Sequence, residues 1–225
     1  MYEVISKYYD LFMEQTPWVD FAVNAVKNKG RGADVGCGSG NVTIALSANH
    51  DVIAIDSSPE MLTVASERFR KCGLRIRAVL QDAEKLQLGF KAEFITAMCD
   101  VVNYMRHPQK FFKSAYDNLQ CGGVLVFDVS SEYKLKNTLG NNVYTETKNN
   151  VTYVWENTLN AKSVDMNLTF FVPSEKGLYK KFVDVQTQYI HSEKEIVSQL
   201  EQIGFKVEIT DTKDRIYFVA TKAAI

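Results

Sequence analysis

The sequence predicts an α/β fold: a mostly parallel sheet with helices on both faces, interrupted late in the chain by an antiparallel β insert. Three observations carry this. Apolar runs of strand length alternate with segments of helical spacing from about residue 16 to residue 129. A glycine-rich turn, Asp34-Val35-Gly36-Cys37-Gly38-Ser39-Gly40, stands where one of these strands becomes a helix. From Val143 to Ile190 the pattern switches to β-branched and aromatic residues at period two. A chain of 225 residues suffices for one sizeable core, or a core with a small subdomain.

Each element has its own signal. Thr16-Pro17 opens a helix whose Trp18, Phe21, Ala22, Ala25 and Val26 fall on one face, with Gly30 as its stop. A short strand ends at Ala33-Asp34-Val35, the glycine turn follows, and a helix runs from Asn41 to Ala48. Asp51 to Asp56 is a buried strand ending in an acid, and Ser58-Pro59 and Cys72-Gly73 bracket the next helix. Arg75 to Leu80 and Glu93 to Met98 are strands. His107-Pro108, with His107 as cap, starts a helix with Phe111, Phe112, Ala115, Tyr116 and Leu119 inward. Gly122-Gly123 turns the chain into the strand Val124 to Val129. Within the insert, Val151 to Trp155, Met166 to Val172 and Leu178 to Tyr189 read as strands, with a hairpin loop at Pro173 to Gly177. A capping box at Ser192-Glu193-Lys194-Glu195 then opens a helix that Gly204 ends. Phe205 to Thr210 and Arg215 to Thr221 form a final antiparallel pair. The domain reading is a core over 1–140, an insert over 141–190 and a completing segment over 191–225.

Composition disfavours some functions. The net charge of −1 supplies no strong field for nucleic acid or anionic membrane, and leaves room for a local patch. No apolar stretch is long enough to span a bilayer, and the N-terminus lacks the form of a signal peptide, so the expected location is the cytoplasm. Cys37, Cys72, Cys99 and Cys121 are as scattered as His50, His107 and His191. A metal site is therefore not expected, and neither is a Ser/His/Asp triad.

The glycine turn carries the chemistry. Glycines allow a sharp turn and the close approach of a ligand, and the helix beyond offers N–H groups to a carboxylate. Asp34 is placed to hold an ammonium. A carboxylate and an ammonium are the two ends of the methionine portion of S-adenosylmethionine. The dinucleotide fingerprint G-x-G-x-x-G would need glycine at position 41, which is Asn41, and no Gly-Lys-Ser/Thr follows for a P-loop. Asp56, with Ser57 after it, can accept both ribose hydroxyls. Asp82 and the Ala83 N–H can meet an adenine edge, with Met61 and Leu62 beside the ring. Each residue also has a plainer reading: Asp56 as a surface acid, Asp82 as a helix cap, Met61 as core. Their order at successive strand ends is what favours the ligand.

These residues make the chain resemble the class I S-adenosylmethionine-dependent methyltransferases, from about Tyr8 to Asp128. Asp34 to Gly40 matches the family's glycine loop, Ile55 to Leu62 its ribose segment, and Gln81-Asp82-Ala83 its adenine turn. Met98-Cys99-Asp100-Val101-Val102-Asn103-Tyr104-Met105 is similar to the post-strand segment of a small-molecule subgroup with a β-rich lid, among them aminosugar N-methyltransferases and relatives of glycine N-methyltransferase. Tyr8 to Met13 resembles their N-terminal segment, which covers the cofactor. The resemblance implies a Rossmann-like seven-stranded sheet with its last strand antiparallel. It also implies S-adenosylmethionine held by Tyr9, Asp34, Gly36, Gly38, Gly40, Asp56, Ser57, Met61, Asp82, Ala83, Cys99 and Asp100. The substrate would lie near Asn103, Tyr104 and Trp155.

The chain departs from the resemblance at Arg31-Gly32-Ala33, where a bulky apolar run is usual. It departs again at Gln186 and Tyr189, where relatives often carry histidine and arginine. The expected activity is methyl transfer to N or O of a small molecule by in-line displacement. Candidate bases or channel residues are Asp100, Tyr104, Tyr9 and His107, although Asp100 reads equally as a structural group. An NAD-type oxidoreductase on a similar sheet, or a non-catalytic cofactor-binding module using the insert's Tyr144, Tyr153, Trp155 and Tyr179 as a protein interface, are the alternatives.

Overall fold

The computed structural model describes Phe12 and residues 16–223. Helix α1 (Thr16–Val26) leads into β1 (Arg31–Val35), α2 (Asn41–Leu46), β2 (Asp51–Asp56), α3 (Pro59–Lys71), β3 (Ala78–Leu80), β4 (Ala92–Ala97), α4 (Gln109–Asn118) and β5 (Leu119–Ser130). The insert comprises β6 (Val143–Lys148), β7 (Val151–Leu159), β8 (Ser163–Pro173) and β9 (Tyr179–Tyr189). Helix α5 (Glu193–Ile203), β10 (Phe205–Thr212) and β11 (Arg215–Lys222) complete the chain.

The main sheet has seven strands in the order β10-β11-β5-β4-β1-β2-β3. β11 runs antiparallel to both its neighbours, and the pairs among β1 to β5 are parallel. This is the sheet the resemblance implied. The strand order reverses at β1, which lies between β2 and β4, so a crevice opens beyond the C-terminal ends of β1 and β4. The insert is a separate four-stranded antiparallel sheet, β6-β7-β8-β9.

The weak-looking first strand is supported by packing. A Cβ on Gly32 would lie 2.4 Å from the ring of Phe94 on β4, so a fully buried phenylalanine fills the space a bulkier residue would take. Burying a ring of that size contributes about 2–3 kcal/mol, so the apolar volume is supplied by the neighbouring strand. Elsewhere the core is aromatic: Phe127 stacks on Phe218 with centroids 4.7 Å apart, and Phe112 meets Phe127 at 5.2 Å.

Local signals mostly formed what they encode. Ser58 caps α3 by accepting from Met61 N, and Ser192 and Glu195 form the reciprocal capping box of α5. Two expectations need correction, and one element went unread. β3 pairs only over Ala78–Leu80, because the chain from Arg75 reaches hydrogen-bonding distance of β2 at Arg77, whose carbonyl accepts from Ala54 N. His107 is exposed and does not cap α4; Pro108 occupies that position. A π-helical turn over Lys134–Leu139, with no signal read in the sequence, links β5 to the insert.

Candidate functional site

A cavity of about 610 Å³ lies beyond β1 and β4. One end is walled by the glycine turn, Asp56 to Ser58, Met61 and Gln81 to Glu84. Met98, Cys99 and Val101 continue this wall beside the glycine turn, and the other end is formed by Tyr104 to Arg106 and, from the insert, Gln186 and Tyr189. Trp18 of α1 also reaches it.

Asp34 sits at the C-terminal end of β1 with 1% of its surface exposed. Its two oxygens accept from the hydroxyls of Thr43, at 2.6 Å, and Thr96, at 2.7 Å. Burial pushes its carboxyl up to about 6, against the lowering effect of the two hydroxyls. No cation among the described residues pairs with it. The carboxylate is therefore held in place but not neutralised.

Asp56, at the end of β2, braces the turn. Its oxygens accept from Gly38 N and Ser58 N, each at 2.8 Å, and burial raises its pKa. The site thus carries a second acid beside the first. Arg68 of α3 secures the far side of the turn, donating to the Ser39 carbonyl and to Asn41 Oδ1.

The expected site residues divide into three groups. Asp34, Gly36, Gly38, Asp56, Ser57, Met61, Asp82, Ala83, Cys99 and Tyr104 all line the cavity. Asp82 also caps the 3₁₀ turn Ala83–Lys85 through Glu84 N, so the plainer reading and the cavity position coexist. Tyr9 lies outside the described residues.

Gly40, Asp100, Asn103 and Trp155 do not line the cavity. Gly40 packs against Phe69. Asn103 is fully buried, accepting from Ser130 N and donating to the Tyr189 carbonyl, which makes it a brace between β5 and β9. Trp155 packs with Leu135, Leu139 and Met166 under the π-helical turn, with Tyr144 beside it. Tyr153 packs against Phe12, and Tyr179 is exposed.

Asp100, weighed as a base, is a buried ion-pair partner. Arg215 of β11 reaches its two oxygens at 2.8 and 3.3 Å, and Ser130 Oγ donates at 2.8 Å. Burial alone would raise its pKa. Arg215, Lys134 and these hydrogen bonds outweigh burial and hold the carboxyl below the usual range. A carboxylate so stabilised does not accept a proton near neutrality.

Arg215 also pairs with Asp128, which is fully buried at the end of β5. Asp128 in turn accepts from Cys99 N at 2.6 Å and Asp100 N at 3.4 Å. Neither Asp128 nor Arg215 was singled out from the sequence. Asp128 carried the same signal as Asp56, an acid ending a buried strand, whereas Arg215 carried none.

At the other end, Tyr104 Oη donates to Gln186 Oε1 at 2.9 Å, and Gln186 Nε2 donates to the buried Asp184 at 2.6 Å. Gln186, one of the two residues that depart from the family pattern, therefore lines the cavity. Among the described residues no cluster of His, Cys, Asp and Glu could hold a metal, and no helix is long and apolar enough to cross a membrane.

A family model described as a methyltransferase domain matches residues 33–123, which span the glycine turn through the start of β5. A Geobacillus sp. (strain WCH70) protein, named a methyltransferase by inference, is 29% identical over 98% of this chain and 99% of its own length. The crystal structure of an S-adenosylmethionine-dependent methyltransferase from Clostridium acetobutylicum ATCC 824 superposes with a TM-score of 0.87. It is 29% identical and covers 98% of this chain and 97% of its own. The amino pentose methyltransferase CalS10 from Micromonospora echinaspora, solved with S-adenosylmethionine bound, superposes with a TM-score of 0.79. It is 20% identical over 99% of this chain and 98% of its own. With its sheet order, its glycine turn and these likenesses, the chain has the class I methyltransferase fold and is similar over nearly its whole length to S-adenosylmethionine-dependent methyltransferases.

Proposed function

We propose that the chain moves a methyl group to an N–H or O–H of a small molecule, with a neutral amine the favoured acceptor. The observation that carries the cofactor's placement is Asp34: a buried carboxylate with no described cation, beside a turn of glycines on the cavity wall. The cofactor's ammonium supplies the missing charge. Asp56 takes the ribose hydroxyls with lone pairs left over from Gly38 and Ser58. Gln81 to Ala83 and Met61 border the adenine. When bound, S-adenosylmethionine supplies a methyl already activated by its sulfonium.

The remaining work is positioning, which can supply much of the acceleration. Tyr104, Gln186 and Tyr189 hold the acceptor, closed in by β9 of the insert, which acts as a lid over the core. The Tyr104 hydroxyl donates to Gln186 Oε1, which fixes its orientation at the cavity wall. Gln186 cannot take a proton, and Asp100 is held as an anion by Arg215. An amine that is nucleophilic without a base suits these groups better than an alcohol. The sugar N-methyltransferases among the structural neighbours, KedS8 for one, agree with this reading.

Calorimetric titration with S-adenosylhomocysteine tests the cofactor half; a folded protein that fails to bind it overturns the proposal. Turnover of S-adenosylmethionine with glucosamine and glucose, as a matched amine and alcohol, begins the acceptor test. A panel in which alcohols react as fast as amines rejects the amine preference.

A further inference from the structure

We infer that Asp128 and Arg215 are positioning residues for methyl-donor binding: together they turn the backbone carbonyls of Met98 and Cys99 toward the glycine turn, where these oxygens meet the donor's ammonium. The inference rests on the cofactor placement proposed above, and it concerns two residues that touch neither cofactor nor acceptor.

The geometry begins with backbone conformation. Cys99 and Asp100 are consecutive non-glycine residues with φ of 64° and 65°. Left-handed backbone is unfavourable for any residue with a Cβ, so two in succession need strong local restraint. Asp128 supplies it, because its carboxylate accepts from both Cys99 N and Asp100 N. Asp128 is fully buried and needs a counter-charge, which Arg215 provides. Arg215 is fixed from three sides: by Asp128, by the two oxygens of Asp100, and by the Trp18 ring, whose centroid lies 5.1 Å from its guanidinium carbon.

A planar trans peptide points its C=O opposite to its N–H. The N–H of Cys99 points to Asp128 on β5, so the Met98 carbonyl points away from β5. The Asp100 N–H does the same, more weakly, for the Cys99 carbonyl. β4 lies between β5 and β1, so the side away from β5 is the side of the glycine turn and Asp34. Met98 and Cys99 line the cavity there, and Asp128 does not. Two carbonyl dipoles and the Asp34 carboxylate then converge on one cationic group. The adenosine portion, at Asp56 and Asp82, is served by other elements.

This separation gives the test. S-adenosylhomocysteine carries the amino acid portion, and 5′-methylthioadenosine lacks it. Asp128→Asn keeps the shape but presents an amide where two N–H groups need acceptors, and Arg215→Lys keeps the charge but loses the fork. In both variants S-adenosylhomocysteine affinity should fall by roughly 10-fold or more, the scale of one charge-assisted contact. Affinity for 5′-methylthioadenosine should stay within about 2-fold. Equal losses for both ligands, or no loss, overturn the inference, since general destabilisation moves both alike. Should neither variant fold, the wild-type chain labelled with ¹³C at methionine and cysteine carbonyls gives the answer: S-adenosylhomocysteine should shift the Met98 and Cys99 carbonyl resonances and 5′-methylthioadenosine should not. Unshifted carbonyls overturn it. A wild-type chain that binds neither ligand overturns the cofactor placement and this inference with it, whereas binding with an unchanged ligand ratio in the variants overturns only the inference.

Discussion

Tyr104 and Gln186 are joined across 82 residues by a hydrogen bond of 2.9 Å whose direction is fixed by a third residue. An ionised carboxylate only accepts, so Asp184 draws the Gln186 amide nitrogen, which leaves Gln186 Oε1 for the Tyr104 hydroxyl. Asp184→Asn removes that constraint, and the amide can then reverse and send the Tyr104 proton into the cavity. The expected outcome is a rise of roughly 10-fold in KM for an amine acceptor, the value of one hydrogen bond, while S-adenosylhomocysteine affinity holds. Tyr104→Phe should act in the same direction. Steady-state kinetics with separate cofactor titration checks both, and a loss confined to cofactor affinity would contradict the assignment.

Asp56→Ala should weaken S-adenosylhomocysteine binding by about 1–3 kcal/mol through loss of charge-assisted bonds to the ribose. The side chain also anchors Gly38 N and Ser58 N, so part of that loss comes through the turn itself. Asp56→Asn separates the two contributions, because it retains one acceptor and loses the charge. Calorimetry should rank wild type, Asn and Ala in falling affinity; unchanged affinity in Asp56→Ala rejects the ribose role.

Asp34 makes cofactor binding depend on pH. Burial raises its folded pKa from 3.8 to about 6. In the unliganded protein its contribution to stability is fully present below pH 3.8, where both states are protonated, and is lost as the pH rises through about 6. A bound ammonium needs the ionised form, so affinity works in the opposite direction. It should fall by up to about tenfold per pH unit below 6 and level off above 7. Asp56 is also raised by burial, so Asp34→Asn is the control that isolates Asp34. Its affinity should be lower and should lose most of this slope. Titrations from pH 5 to 8 that show the same slope in both proteins would remove Asp34 from the site.

What was legible in the sequence was local. The glycine turn at a strand end, the acid Asp56 closing the next strand, and the caps at Ser58 and Ser192 are each encoded within a few residues, and those local elements formed. The Asp100–Asp128–Arg215 cluster was not legible, because it exists only once β11 pairs with β5 and brings Arg215 opposite Ser130. Asp100 viewed alone read equally as a candidate base and as a structural group, and the partner that decides lies 115 residues away. The position of Trp155 away from the cavity was illegible for a related reason. Period-two alternation assigns a strand residue to a face but does not say what covers that face, and the covering element is the π-helical turn over Lys134–Leu139.

The second and third glycines of the turn should respond differently to alanine. Gly40 has φ +88°, and a Cβ there would lie 2.5 Å from Phe69 Cε1 and 2.9 Å from its Cζ. Phe69 is 2% exposed and packs with Ala65 and Leu62, so the ring cannot swing out. Left-handed strain of roughly 1–2 kcal/mol adds to an overpacking cost of roughly 1–3 kcal/mol. In a chain of this size that lowers the melting temperature by roughly 5–15 °C. Gly38 has φ +53° with nothing within 4 Å of its Cβ position, so Gly38→Ala carries the backbone strain alone and should cost only a few degrees. Its methyl group stands on the cavity wall, however, and Gly38 N is the donor to Asp56. Gly38→Ala should therefore remain folded and bind S-adenosylhomocysteine poorly. Gly40→Ala should lose stability first and keep more of its affinity per folded molecule. Thermal unfolding beside calorimetry on both variants decides this. A Gly38→Ala protein that melts lower than Gly40→Ala, or that binds as well as wild type, would show that the space at Gly38 is not where the cofactor passes.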